Sequence, residues 1–276
     1  MPITINSSIV GTLTRSLGKS TKSLNTSLQR LSSGIRVNNA DDDPGGLGVV
    51  SNMAAQIRAA NRAIRNTNDA VSLTQVADDA LAETNNNLQR MLELATAATS
   101  STYLTADRAN MNIEFQLLAA EILRTARGVT YNNKSLLMGS VVGSVFQVGT
   151  YSGTDNGISL TIYSATPSGI GVSGFTSLGG TDGTSASLAI VLVDYAIASV
   201  ATIRARIGAV QSRLNSALDN VTSYSNNMTQ ALSNAQDADV SQETSNMARQ
   251  TILQQVGAAV IAQANLQMKQ VLTLLG

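Results

Sequence analysis

The last stretch of the chain constrains the fold more than any other. Residues 247–276 place Leu253, Val256, Val260, Ala264, Met268, Val271 and Leu275 at intervals of three or four, which predicts one apolar stripe along an α-helix. After Arg249 the only charged side chain is Lys269. Most chains end in a short, polar, frayed segment. A long helix with such a stripe must instead bury it against a bilayer, against the rest of its own chain, or against other copies. Gln250, Gln254, Gln255, Gln263, Gln267 and Gln270 argue against a spanning helix, which needs about 20 predominantly apolar residues. With no Trp and a single Lys, the stretch also lacks the marks of a helix lying in a membrane interface. Packed helices remain.

The other end repeats the design. Leu13, Leu17, Leu24, Leu28, Leu31 and Ile35 lie three, four or seven apart, predicting a second amphipathic helix over residues 5–35. Two striped helices at opposite ends of one chain suggest that they pair as a coiled coil, although the heptads are imperfect.

Composition narrows the function. Charged residues make up 13% of the chain and the formal net charge is zero, so no basic patch offers itself to nucleic acid. The chain has neither Cys nor His. That removes disulfides, thiolate catalysis, the usual zinc sites and imidazole bases. No catalytic constellation, cofactor motif or metal set is expected. Asp41, Asp42 and Asp43 lack the alternating ligands and closing Glu of a calcium loop and read as turn residues. Asp78 and Asp79 read as helix surface.

In order, Asn38, Asn39, the three Asp residues, Pro44, Gly45 and Gly46 predict a non-helical connector. A helix of more than forty residues follows from about Met53 to Ala98, with Ile57, Ala60, Ile64, Thr67, Val71, Thr74, Leu81, Leu88, Met91 and Ala95 on its apolar stripe. A shorter helix runs from Asp107 to Arg127 and ends at Gly128. Residues 138–187 hold 11 of the 21 glycines. There, residues 145–148 and 158–162 predict a β-hairpin, followed by a Gly/Ser/Thr-rich surface loop. A third long helix spans residues 187–234, with Val200, Ile203, Ile207 and Leu214 among its stripe residues. The predicted fold class is mainly α: a long antiparallel coiled coil or bundle formed from both chain ends, with a small β-hairpin insertion. The predicted domains are an inner pair from 1–40 with 240–276, connectors at 41–52 and 233–239, an outer bundle from 53–137 with 188–232, and the insertion at 138–187.

Four segments closely resemble bacterial flagellin, the flagellar filament subunit. They are LNTSLQRLSSGIRVN at 24–38, NNNLQRMLEL at 85–94, IRARIGAVQSRL at 203–214, and the closing run through Ser245-Asn246-Met247, Ile252-Leu253-Gln254-Gln255, Ala262-Gln263-Ala264-Asn265 and Leu274-Leu275. Pro44-Gly45 departs from the small helix-compatible residues common in that family.

The resemblance implies a structural subunit, not an enzyme, that self-assembles into a helical tubular propeller for motility; the alternative is a flagellin-like junction protein between hook and filament. Terminal packing between copies is expected at Leu13, Leu17, Leu24, Leu28, Leu31, Leu253, Val256, Val260, Met268, Val271 and Leu275. The first residues do not read as a secretory signal peptide, so the resemblance implies a secreted flagellar location reached through the flagellar export apparatus without a cleaved signal. Its implied partners are the export chaperone and the cap and junction proteins, with no nucleic acid and no membrane insertion. Leu88, Gln89, Arg90, Leu94 and Glu114 match positions through which vertebrate innate immune receptors recognise flagellin. Outer contacts between copies are expected to draw on Arg58, Arg62, Arg65, Arg90, Glu93, Glu114, Arg124 and Arg127.

Overall fold

The computed structural model describes residues 4–172, 178 and 184–275, with the backbone alone at 4–9, 154, 268 and 271–275. Its elements are α1 (Thr4–Ser33), α2 (Pro44–Ala98), α3 (Thr105–Gly128), β1 (Thr130–Tyr131), β2 (Lys134–Ser135), β3 (Val141–Gln147), β4 (Gly157–Ile162), α4 (Thr184–Gln236) and α5 (Val240–Leu275). The chain forms two compact units, Met1–Gln56 with Asn227–Gly276, and Ile57–Asn226. Helices α2 and α4 contribute residues to both.

Helix α2 starts nine residues before the predicted Met53, inside the predicted 41–52 connector. The reason is local. The Gly46 N–H donates to Asp43 Oδ1 at 2.9 Å, so Asp43 caps the helix. Pro44 then takes the first helical position, where a missing N–H costs nothing and its fixed φ suits the helix. A Cβ on Gly46 would meet the Asp43 carboxylate at 2.2 Å, so glycine leaves room for that cap. The Pro-Gly-Gly run read as a helix breaker is a helix start.

The second unit is built on a strict seven-residue repeat. In α2 the residues Ala60, Ala63, Thr67, Ala70, Thr74, Ala77, Leu81, Thr84, Leu88, Met91, Ala95 and Ala98 are all buried, alternating steps of three and four. Ile64 and Val71, expected on this stripe, are half-buried beside it; Ala63 and Ala70 take the central places. Small side chains let partner helices approach closely. The buried hydroxyls are satisfied within the helix, since Thr67 and Thr84 donate to the carbonyls of Ala63 and Ala80, and Thr74 to that of Val71. Helix α4 answers with Ala186, Ala189, Val193, Ala196, Val200, Ile203 and Ile207. Phe115 and Ile122 of α3 complete the core. Among the described residues α4 is long and apolar enough to cross a membrane by composition; about a third of that apolar stretch is buried here, while Leu188 and Val191 are exposed.

Strands β3 and β4 form the predicted antiparallel hairpin, wider than expected at its first strand and carrying a bulge between Val141 and Ser144. Val148 and Ile158 pack it onto Ala70 and Leu214. A second, unpredicted hairpin joins β1 to β2, with Asn132 and Asn133 at φ 47° and 63° in its two-residue turn. The stretch read as a surface loop after residue 164 is anchored. Ala165, Ile170, Val172 and Leu178 are all buried in the core, and the Leu178 N–H donates to Asn112 Oδ1 at 2.9 Å.

Leu81→Ala, at a fully buried heptad position, is expected to lower unfolding free energy by about 2–5 kcal/mol. Leu188→Ala, on the exposed side of α4, should change it by less than about 0.5 kcal/mol. Chemical denaturation of the two variants checks both.

Candidate assembly surface

Helices α1 and α5 pair antiparallel within the first unit. Leu17 lies against Gly257, Ser20 against Gln250, Ser27 against Glu243, and Ile35 bridges to Asp237. The pairing of the two ends is as expected, and the α1 stripe of Leu13, Leu17, Leu24 and Leu31 is the face turned toward α5. On α5 it is met by Glu243, Gln250, Gln254 and Gly257, so the α5 stripe itself is turned aside.

The seam mixes half-buried leucines of α1 with polar pairs. Among the described residues of α1 the buried ones are Ser20 and Ser27. Ser20 Oγ donates to Gln250 Oε1 at 2.8 Å, and Gln254 Nε2 donates to Thr21 Oγ1 at 3.0 Å. Ser27 Oγ donates to Glu243 Oε2 at 2.7 Å, and Arg30 Nη1 reaches Glu243 Oε1 at 3.3 Å. Glu243 is 7% exposed, so its charge has little water and depends on these two donors.

The same arginine ties in the connector. Arg30 Nη2 lies 3.6 Å from Asp42 Oδ1, while Asp42 Oδ2 accepts the N–H groups of Asn39 at 3.0 Å and Asn38 at 3.3 Å. These backbone donors, Asn39 foremost, and then Arg30 hold the Asp42 carboxyl below the usual carboxylate range against a smaller opposing effect of burial. Outgoing and returning connectors pair directly, through Arg36 N–H to the Gln236 carbonyl at 2.6 Å and Ala238 N–H to the Gly34 carbonyl at 2.9 Å. Gly34, at φ +70°, supplies the left-handed residue that ends α1. Asp239 caps α5 by accepting the N–H groups of Ser241 and Gln242.

The apolar stripe of α5 is left at the edge of this seam. Leu253, Val256 and Val260 are 50%, 53% and 44% exposed, Ile252 and Leu266 are also exposed, and so is Leu28 of α1. Leu13, Leu17, Leu24 and Leu31 are half-buried. An open groove of about 380 Å³ runs between the helices, lined by Leu13, Leu17, Leu253, Val256, Gly257 and Val260 among others. The side chains of Met268, Val271 and Leu275 lie outside the described residues.

The second unit sorts the five positions suggested for receptor recognition. Leu88 and Leu94 are core residues at 0% and 6% exposure and present no surface. Gln89 is exposed, and Arg90 joins Glu114 and Glu93 through contacts of 2.8 Å each. Glu114, then Glu93, raise the Arg90 guanidinium above its ordinary range. Arg124 pairs with Glu121. Arg58, Arg62, Arg65 and Arg127 have no ion pair among the described residues. Sequence reasoning found the pairing of the two ends but not the α5 face that makes it, because Gln250 and Gln254 lie off the apolar stripe.

Such a chain, with its ends hydrogen-bonded to each other and the apolar edge of α5 uncovered, has the build of a self-assembling structural subunit. Comparison with known proteins gives the family. The bacterial flagellin N-terminal helical region matches residues 5–141, and the bacterial flagellin C-terminal helical region matches residues 190–275. A flagellin of Halalkalibacterium halodurans is 36% identical, covering 95% of each chain. The flagellar filament 30.7 kDa core protein of Treponema maltophilum is 33% identical, again over 95% of each. The crystal structure of Bacillus cereus flagellin superposes with a TM-score of 0.51 at 31% identity, covering 61% of this chain and 94% of that one. Other relatives are longer, and the chain spans 52% and 35% of two of them. The chain belongs to the bacterial flagellin family, a family of structural subunits of the flagellar filament.

Because Asp42 has a lowered folded-state pKa, its contribution is complete above the ordinary Asp value of about 4 and is lost as pH falls through the lower folded value. The Asn38 and Asn39 amide resonances should therefore shift together below about pH 4, and Asp42→Asn should abolish that titration in NMR spectra.

Proposed function

We propose that the chain polymerises into the flagellar filament by burying the apolar edges of its terminal pair against neighbouring copies. One observation carries this reading: Ser20, Ser27 and Glu243 find their partners across α1 and α5 within the chain, while Leu253, Val256 and Val260 stay about half exposed. Burial of apolar area contributes about 25 cal/mol per Å², so stripes shared with several neighbours favour the polymer over the free subunit. The role is mechanical. The filament is an extracellular appendage turned as a propeller.

Further parts of the proposal rest on the family resemblance. The subunit leaves the cell through the flagellar export apparatus without a cleaved signal, escorted by a chaperone, and adds beneath cap proteins on a base of junction proteins. On the free subunit, Gln89, Arg90 and Glu114 form the accessible part of a face for vertebrate innate immune receptors. Leu88 and Leu94 support that face from the core.

The triple variant Leu253→Ser, Val256→Ser, Val260→Ser, and a chain lacking residues 247–276, are both expected to give no filaments by electron microscopy. The triple variant should keep its helical circular-dichroism signal. Filaments of normal length from either chain would overturn the assembly reading. Arg90→Ala is expected to weaken a cell-based receptor response to the soluble subunit. An unchanged response would remove the receptor assignment.

A further inference from the structure

We infer that Gly257 is the position that sets the register of the terminal helix pair, by leaving a notch that Leu17 fills. This rests on the assembly reading above and names the contact that decides which apolar edge the pair presents. Leu17 Cδ1 lies 3.5 Å from where a Cβ on Gly257 would stand, so the leucine end sits directly over the missing side chain. Gly257 is the only glycine within α5, whose 36 residues run from Val240 to Leu275. On α1, Gly18 has nothing within 4 Å of its Cβ position, so no reciprocal notch competes.

The alternatives are slides of α5 by one helical turn. A slide of four residues brings Leu253 or Ile261 opposite Leu17, and a slide of three brings Gln254 or Val260. Each puts a full side chain where the backbone now faces the leucine. Overpacking of that kind forces side chains off their rotamers or pushes helices apart. A slide also separates Ser20 from Gln250, Thr21 from Gln254 and Ser27 from Glu243, leaving the Glu243 carboxylate without the Ser27 donor. The notch and the hydroxyl pairs therefore select the same alignment. Register fixes the edge that faces outward: in this alignment Leu253, Val256 and Val260 line the open groove. Glycine is otherwise unfavourable inside a helix, and no positive φ calls for it here. Size is the property in use.

The test is a size series with a rescue, scored by critical concentration for polymerisation and by a register-reporting disulfide. The chain has no Cys, so Ser20→Cys with Gln250→Cys supplies a single pair whose oxidation reports the native alignment. Gly257→Ala is expected to keep the disulfide, because an added Cβ makes only ordinary contact. Gly257→Leu should raise the critical concentration at least about tenfold and lose the disulfide. Adding Leu17→Ala to Gly257→Leu should restore the disulfide. A loss of helix-specific flexibility would not be rescued from the partner helix. Normal polymerisation of Gly257→Leu, or failure of Leu17→Ala to restore its disulfide while Gly257→Ala keeps it, overturns the notch and leaves the assembly reading standing. A parent chain that forms no filaments overturns both.

Discussion

A buried charge must be met by donors or it destabilises the structure that holds it. Glu243 imposes that requirement on the whole terminal unit. Its two oxygens are taken by Ser27 and Arg30 of the opposite helix, and Arg30 also reaches Asp42, which gathers the amides of Asn38 and Asn39. One carboxylate thus ties together α1, α5 and the outgoing connector. Moving any one of them leaves the others short of a partner. The hydroxyl–amide pairs farther along the seam extend the same logic toward the chain ends.

The two units use opposite solutions for packing long helices. In the second unit a heptad of Ala, Thr and occasional large side chains fills the space between α2 and α4, and apolar burial is completed within one chain. In the first unit polar side chains share the contact with the leucines of α1, and the apolar stripe of α5 is displaced to the rim. Under the proposed assembly the difference follows from what each unit must do. A unit that is finished alone can spend its apolar residues inside. A subunit that must recognise copies of itself needs them outside, with polar pairs across the seam to keep the helices aligned meanwhile.

Much of this was legible from residue spacing. The five helices, the β3–β4 hairpin and the pairing of the chain ends all follow from three-four periodicity, alternation and punctuation by Gly and Asn. Three things were not. Pro44, Gly45 and Gly46 look like a break, and only the Asp43 carboxylate over Gly46 turns them into a helix start. Ile64 and Val71 are more apolar than Ala63 and Ala70, so hydrophobicity alone puts them on the stripe; the strict repeat, set by the partner helices, gives those two places to the alanines. Leu178 sits in a stretch whose composition says loop, and its burial depends on Asn112, far away in sequence. In each case the deciding contact is one that a one-dimensional pattern does not contain. The Asn132-Asn133 turn is different, since that dipeptide between Tyr131 and Lys134 was a readable hairpin signal left unused.

The seven-residue repeat of α2 has a mechanical corollary. An α-helix turns once in about 3.6 residues, so a strict repeat of seven drifts by roughly 20° each time and forces neighbouring helices to wind left-handedly about one another. Strands laid in one hand answer torque unequally: twisting with the lay draws them tighter, and twisting against it opens them. A helix bundle wound in this way resists torsion more in one sense than in the other.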